Sequence, residues 1–427
     1  MSVPAQDLRQ RLWPARLRAG FACALLFLLG LTNGRLDGGS SPSRADAQLR
    51  FLAGALDRGA AERMQGLFPE GYVFTWALFG AAAAQVAGTL PASDPRRDEL
   101  LHEASGAIAH VLSPQGRAVF ERQLSPSYGA FYTGWSLYLR SVVLRAGGAD
   151  AVFDRALFES DCDRFTAALA ASKTPFLPSY SGQAWPADTV AGMAGLAIRD
   201  RLLGPRHEAT IARWLGDVRQ RLDPATGAIP HAASFVDGTP EGGARGESLA
   251  LMSLLLAEVD PVVSRQQYEL LRKHFVAVAW GLPGVREYPR GSDGPPDIDS
   301  GPLVFGLGGP ATTVAIGAAR AHGDEQLAAT LLDIGELVGM PFELWGSRRY
   351  VAGLLPVGDA FLVWARSAPL LPAQQPWAPL IPWWWRVPLH VLSLALAALI
   401  GWRGGLWPAR RAATAHTGTM PATPEGP

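Results

Sequence analysis

One kind of loop recurs along this chain, and its spacing limits the fold more than any other feature. Each copy is rich in Gly, Pro and aromatics, and each opens a helix. They read Pro69-Glu70-Gly71-Tyr72, Tyr128-Gly129-Ala130-Phe131-Tyr132 and Gly182-Gln183-Ala184-Trp185-Pro186. The next are Gly242 to Glu247, Pro296-Asp297-Ile298-Asp299-Ser300-Gly301-Pro302 and Leu355-Pro356-Val357-Gly358-Asp359. Successive loops lie roughly 50 to 60 residues apart, the span of two ordinary helices with their connections.

The helices between the loops are of two kinds. Thr189 to Ile198 and Thr312 to Ala319 are apolar nearly all round and full of small residues, as a helix buried on every side must be. Stretches such as Glu208 to Leu222, with Arg213, Asp217, Arg219 and Arg221, are amphipathic and suit an outer layer. Inner small helices, each followed by an outer amphipathic one, predict an all-α (α/α)6 toroid of six helical hairpins. Strand signals are few: Val285-Arg286-Glu287-Tyr288 and Arg349-Tyr350-Val351, read as short hairpins at the mouth. Gly306-Leu307-Gly308-Gly309-Pro310 has no strand before it and reads as close helix packing, not as a phosphate-cradling loop.

Both ends of the chain carry membrane signals. An apolar run from Ala19 to Leu31 follows Arg9, Arg11, Arg16 and Arg18. A second, Val387 to Trp402, follows Trp383, Trp384 and Trp385 and precedes Arg403, Arg410 and Arg411. Each run falls a little short of the roughly 20 residues that cross a bilayer. Basic residues on the terminal sides and an interfacial Trp belt nevertheless predict two transmembrane helices with both ends cytoplasmic. The expected organisation is a basic tail at 1-18, an anchor at 19-34, a barrel domain at 45-372, a membrane helix at 383-402 and a cytoplasmic tail at 403-427. The barrel would then stand on the extracytoplasmic side of the inner membrane. The rival reading of the first run is a cleaved signal peptide, since Thr32-Asn33-Gly34 is a small-residue neighbourhood.

With 48% apolar residues the chain can build a large core, and a net charge of zero without a basic stripe argues against nucleic acid as a partner. The two cysteines are Cys23, in the first apolar run, and Cys162, so no disulfide can form within the domain and no cysteine-rich metal site exists. No His, Cys and Asp ligands cluster at metal spacings, and no cofactor is implied.

In a toroid of this kind the N-terminal ends of the inner helices gather at one end of the axis, and their partial positive charge favours carboxylates there. Asp188, Glu247, Asp297 and Asp299 are the candidate catalytic carboxyls. Tyr72, Trp76, Tyr132, Trp135, Tyr180, Trp185, His231 and Asp359 are the candidate substrate-binding residues. Aromatics beside carboxylates in one pocket suit a small molecule or a glycan. Each also has a plainer explanation. Asp188 is placed to be an N-cap, Glu247 would be welcome at any helix start, and turn chemistry accounts for one of Asp297 and Asp299. Trp135 and Trp185 could be rim packing, and His231 a satisfied loop histidine.

From about Phe74 to about Leu327 the chain resembles the linalool dehydratase-isomerase family. The similarity is carried by Tyr132-Thr133-Gly134-Trp135-Ser136-Leu137-Tyr138-Leu139, Asp200-Arg201-Leu202, Leu222-Asp223-Pro224-Ala225-Thr226-Gly227-Ala228, Val259-Asp260-Pro261 and Arg286 to Asp293. The resemblance implies an α/α six-hairpin barrel and cofactor-free acid/base removal of water from, or rearrangement of, small terpene alcohols. That family's pocket cysteines and histidine are not kept. The matching stretches here read Thr133-Gly134-Trp135 and Pro178 to Asp188, without cysteine, so carboxyls would have to move the protons.

Three functions fit. The first is a lyase or isomerase acting on a small hydrophobic alcohol, with Asp188 and Glu247 as the acid/base pair and Asp297 or Asp299 tuning one of them. The second is a carbohydrate-active hydrolase or lyase of the cell envelope. The third is a membrane-anchored binding protein that has kept the fold alone.

Overall fold

The computed structural model describes residues 17–30, 34, 42–147, 154–369 and 376–403. The two predicted tails lie almost wholly outside them, as do Thr32 and Asn33. The described residues fall into two compact units: residues 35–386, and the terminal segments on either side.

The terminal unit contains helix α1 (Leu17–Gly30), which is apolar but short for a membrane crossing. The central unit then runs α2 (Pro42–Leu56), α3 (Ala60–Gln65), α4 (Gly71–Ala87), α5 (Pro95–Val111), the single turn α6 (Pro114–Arg117), α7 (Gly129–Arg145) and α8 (Arg155–Ala171). It continues with α9 (Pro186–Leu203), α10 (Glu208–Arg219), α11 (Gly246–Val259) and α12 (Pro261–His274). Two hairpins follow, β1 (Val276–Ala279) with β2 (Leu282–Val285), and β3 (Leu303–Val304) with β4 (Leu307–Gly308). After α13 (Gly309–Ala321) and α14 (Glu325–Gly339) comes a third hairpin, β5 (Phe342–Leu344) with β6 (Ser347–Arg349), and then α15 (Pro356–Ser367). A 3-10 turn, Trp383–Arg386, leads into α16 (Val387–Arg403). Together, Trp383–Arg403 is long and apolar enough to cross a membrane, the one such helix among the described residues.

Six helices form a closed inner ring in the order α4, α7, α9, α11, α13, α15, with α15 packing back on α4. The outer layer comes from α5, α8, α10, α12, α14 and α2. The chain is therefore an α/α toroid with one rearrangement from the expected order. The last inner helix is covered by α2, from the start of the domain.

Sequence chemistry separates the two layers. Outer helices α5, α8, α12 and α14 open on Asp94, Asp154, Asp260 and Asp324, whose side chains accept from backbone N–H groups of the first turn. The inner helices open on Glu70, Tyr128, Trp185, Arg245, Gly308 and Leu355, none of which makes a side-chain cap bond. Backbone carbonyls of the loops take several of their first N–H groups instead: Gly71 N–H donates to Phe68 O, and Gly129 N–H to Pro126 O. Asp188 is not the N-cap it was expected to be: Trp185 holds that position, and Asp188 sits inside the first turn of α9.

Small residues set the inner spacing. A Cβ on Gly134 of α7 would lie 2.3 Å from the Asp188 carbonyl oxygen, and one on Gly195 of α9 would lie 2.8 Å from the Leu137 carbonyl carbon. The α7–α9 seam therefore brings backbone against backbone. Around it Trp135, Tyr138 and Trp364 interlock edge to face and are all buried. Fully burying an aliphatic or Phe side chain stabilises a core by about 1.5–3 kcal/mol.

The strand reading needs correction. Gly306 to Pro310 is not simply close helix packing: Leu303–Val304 precedes it as a strand and pairs with Leu307–Gly308 through a turn at Phe305-Gly306. The fifth loop therefore does not open its helix directly, and α13 begins at Gly309 after this hairpin. Alternation over two-residue strands is too short a signal to read.

Candidate functional site

Backbone links show that the loops before the inner helices meet at one end of the ring. Ala130 N–H, opening α7, donates to Pro178 O in the loop before α9. Ala184 of that loop bridges Ala233 in the next, and Gly246 N–H donates to Glu287 O. Arg245 reaches further, forming an ion pair with Asp297. Asp188, Glu247, Asp297 and Asp299 are thereby brought near one another, with Glu70 and Glu287 among them.

Asp188 is 7% exposed and accepts a hydrogen bond from the Ser179 hydroxyl at 2.6 Å. Its carboxyl is pushed up to about 8, chiefly by burial, against the pull of Ser179; the charges of Glu70 and Asp299 add to the rise. The Trp135 indole N–H opposes it weakly, close by but without a full hydrogen bond. One pKa unit is about 1.4 kcal/mol, so the roughly 0.3–1 kcal/mol by which a helix N-terminus favours an anion is overridden. At neutral pH Asp188 is mostly protonated.

Glu247 stands in the first turn of α11, part-buried, and receives the Ser248 hydroxyl at 3.3 Å. Burial and then the charges of Asp299 and Glu287 raise its titration well above the usual carboxylate range. Ser248 also bonds His231, whose ring is pushed down to about 4 by burial and by Arg245, and so is neutral at pH 7. Glu287 is 1% exposed and raised to about 7 by burial, with Arg245 opposing at 4.0 Å. Asp299 is raised to about 6 by the protein around it and by Asp297 and Glu70. Its side chain is nevertheless reached by solvent, so the acidic neighbours are the firmer cause.

Asp297 goes the other way. Burial pulls its titration up, but the Ser300 backbone N–H at 2.9 Å and the Arg245 guanidinium outweigh that and hold it below the usual range. One group of carboxyls thus holds a member protonated at neutral pH and a member firmly ionised. That division is what general acid and general base roles require.

Tyr180 and Trp185 border this group. The Tyr180 hydroxyl donates to Glu70, and the two rings meet edge to face at 5.6 Å. The other sequence candidates are placed elsewhere. Tyr72 and Trp76 turn to the outer helix α5, where the Tyr72 hydroxyl lies 3.1 Å from His110 Nδ1 and Trp76 stacks on the same ring. Tyr132 donates to Val111 O and accepts from Arg117, against the loop after α5. Trp135 is wholly buried in the core, with only its N–H near Asp188. Asp359 is buried against α2, accepting from Gln48 and from Tyr350 N–H, and is pushed up to about 7 by burial. All of these lie on inner helices; the pitch of each helix turns Tyr72, Trp76, Tyr132 and Asp359 toward the outer layer, while Trp135 packs against the inner-helix rings of Phe74, Tyr138 and Trp364.

Sequence reading passed over Glu70, Ser179, Arg245 and Glu287. Glu287 had a signal: it follows two residues after Val285, the last residue of β2, and both are buried, where a charge is rarely found without a partner. Its neighbour Arg286 turns instead to a cavity of about 330 Å³ lined by Ala277, Val278, Arg290, Gly291 and Asp293. Among the described residues no three His, Cys, Asp or Glu side chains are grouped to hold a metal ion.

No protein-family model matches the chain, and no curated protein matches it in sequence. One solved structure to which the chain is similar is an unsaturated glucuronyl hydrolase from Streptococcus agalactiae. That likeness covers 68% of this chain and 81% of the other at 11% identity, with a TM-score of 0.39.

Proposed function

We propose that the chain is a membrane-tethered acid/base enzyme that breaks a C–O bond in a hydroxyl-rich substrate, a glycan of the cell envelope, on the extracytoplasmic side. The observation that carries this reading is the opposite protonation of Asp188 and Asp297 within one group of carboxyls. Asp188 gives its proton to the leaving oxygen, which keeps the electron pair of the broken C–O bond. Ionised Asp297 takes a proton from the water whose oxygen forms the new bond to carbon. Ser179, Tyr180, His231 and Ser248 supply hydroxyl and imidazole partners for sugar hydroxyls, and Trp185 an aromatic edge.

A second reading follows the resemblance to linalool dehydratase-isomerase: loss of water from a small hydrophobic alcohol. It is favoured by the apolar rings around Trp135, whose N–H is near Asp188: Phe74 meets Trp135 at 5.0 Å and Phe361 at 5.2 Å. There Asp188 would protonate the departing hydroxyl while a second carboxylate takes the proton from the adjacent carbon. Purified full-length protein, offered neutral and acidic oligosaccharides and small terpene alcohols, separates the two by mass spectrometry. New reducing ends support the glycan reading, and loss of water from the alcohols supports the second. Turnover undiminished in Asp188→Asn would overturn both.

The tethering rests on the Trp383–Arg403 helix and on the basic and Trp flanks of the two apolar runs. Phosphatase fused within residues 41–47 should be active, and the same reporter after Arg411 inactive. The reverse pattern would sink this topology.

A further inference from the structure

The surface beside the root of the membrane helix carries apolar side chains that nothing in the domain covers. Val338 and Met340 end α14, Phe342 and Leu344 lie on β5, Trp345 forms the hairpin tip, and Leu354 follows in the next turn; all are exposed. Trp345 is 93% exposed. Its backbone is in the left-handed region at φ 51°, followed by Gly346 at φ 72°, in a two-residue turn where Asn-Gly or Asp-Gly is the usual choice. Met340, Val351 and Ala352 also hold positive φ. A segment that accepts such backbone geometry while displaying a bare Trp is shaped for something outside the domain.

The same helix fixes the membrane root. Ile381 and Trp385 are buried in the domain, and Arg386 forms an ion pair with Asp333 of α14. From Asp333 to Met340 is seven residues, about 10 Å at helical rise. In the sequence Arg386 is followed directly by Val387, where the apolar run begins. Trp383, 83% exposed, stands at that root, where Trp belongs at the level of lipid headgroups.

We propose that the end of α14, the β5–β6 hairpin and the turn after it lie in the headgroup–acyl boundary of the bilayer as an interfacial docking surface for phospholipid. This rests on the reading of Trp383–Arg403 as a membrane span and adds a second contact to it. The tether holds the patch at the bilayer, and burying its apolar area supplies the attraction. Arg349, whose guanidinium stands over the Phe342 ring at 5.8 Å, offers a cation at the depth of lipid phosphates.

The test uses the full-length protein with Cys23→Ser, in vesicles of phosphatidylcholine and phosphatidylglycerol; Cys162 is buried and does not react. An environment-sensitive fluorophore is placed on W345C, on A167C of α8 on another side of the ring, or on L394C within α16. Brominated lipid should quench W345C several-fold more than A167C, while aqueous iodide should do the reverse, with L394C quenched by lipid as the check on the span. Lipid quenching at L394C but not at W345C would overturn the docking surface and leave the span standing. Quenching at neither would overturn both. A W345C label shielded from lipid and iodide alike would mean that protein covers the patch, and equal lipid quenching of W345C and A167C would mean unspecific insertion. Either of these also overturns the proposal.

Discussion

The Ser179 hydroxyl donates to Asp188 Oδ2 at 2.6 Å, across the turn that carries the chain into inner helix α9. This bond opposes the burial that keeps Asp188 protonated, so the acid is set by two competing effects that can be altered separately.

Burial of Asp188 makes stability pH-dependent. Its ordinary value of 3.8 rises to about 8 in the folded protein. Between these values the folded state holds a proton that the unfolded state has released. Stability therefore falls as pH rises across that window, by up to about 1.4 kcal/mol per pH unit. Asp188→Asn removes this slope. Thermal melts of the two proteins from pH 5 to 8 should diverge, with the variant gaining on the wild type as pH rises. Parallel curves would show that Asp188 is not held protonated.

Removing the Ser179 hydroxyl takes away the bond that favours ionised Asp188. Ser179→Ala should move the alkaline limb of a kcat/KM profile to higher pH and leave the acid limb in place. Because the hydroxyl also accepts from Trp185 N–H at 3.4 Å, a small loss of stability should accompany the shift. An unmoved alkaline limb would separate Ser179 from the acid.

Arg245 acts on the opposite limb. It pairs with Asp297 and opposes the raised titrations of Glu287 and Asp299. Arg245→Gln should raise all three, moving the acid limb toward neutrality. The profile narrows here where Ser179→Ala widens it. If Arg245→Gln changed only stability, Asp297 would be a turn residue and not the base.

The α7–α9 seam fixes where Asp188 stands. Gly134→Ala places a methyl 2.3 Å from the Asp188 carbonyl oxygen, and backbone atoms cannot yield as a flexible side chain does. Overpacking of this kind costs about 1–3 kcal/mol. The variant should melt lower and lose turnover together, since the first turn of α9 must move. Gly216→Ala on α10, with open space around it, should do neither.

How far the chain could be read follows from the range of each interaction. Loop spacing and the contrast between small apolar and amphipathic helices are local patterns, and they pointed to the toroid and to the inner helices. The acidic loops of Asp188, Glu247, Asp297 and Asp299 were visible for the same reason, because carboxyls in loops before buried helices stand out in a sequence. Which side chains look into the shared space was not visible. Tyr72, Trp76, Tyr132 and Asp359 follow the right loops, yet they point outward, because one helical residue turns a side chain by about 100°.

Ring closure and protonation belonged to the tertiary structure alone. Nothing in the local sequence of α2 says that it covers α15, which lies about 300 residues later and is tied to it by the bond from Gln48 to Asp359. Nothing local says that Glu70 and Glu287 would join Asp188, Glu247 and Asp299. A carboxyl's proton is held by the sum of burial and distant charges, and both exist only once the chain has closed on itself. Local periodicity determined the helices and their layers; packing decided which acids share a space, and so which of them keeps its proton.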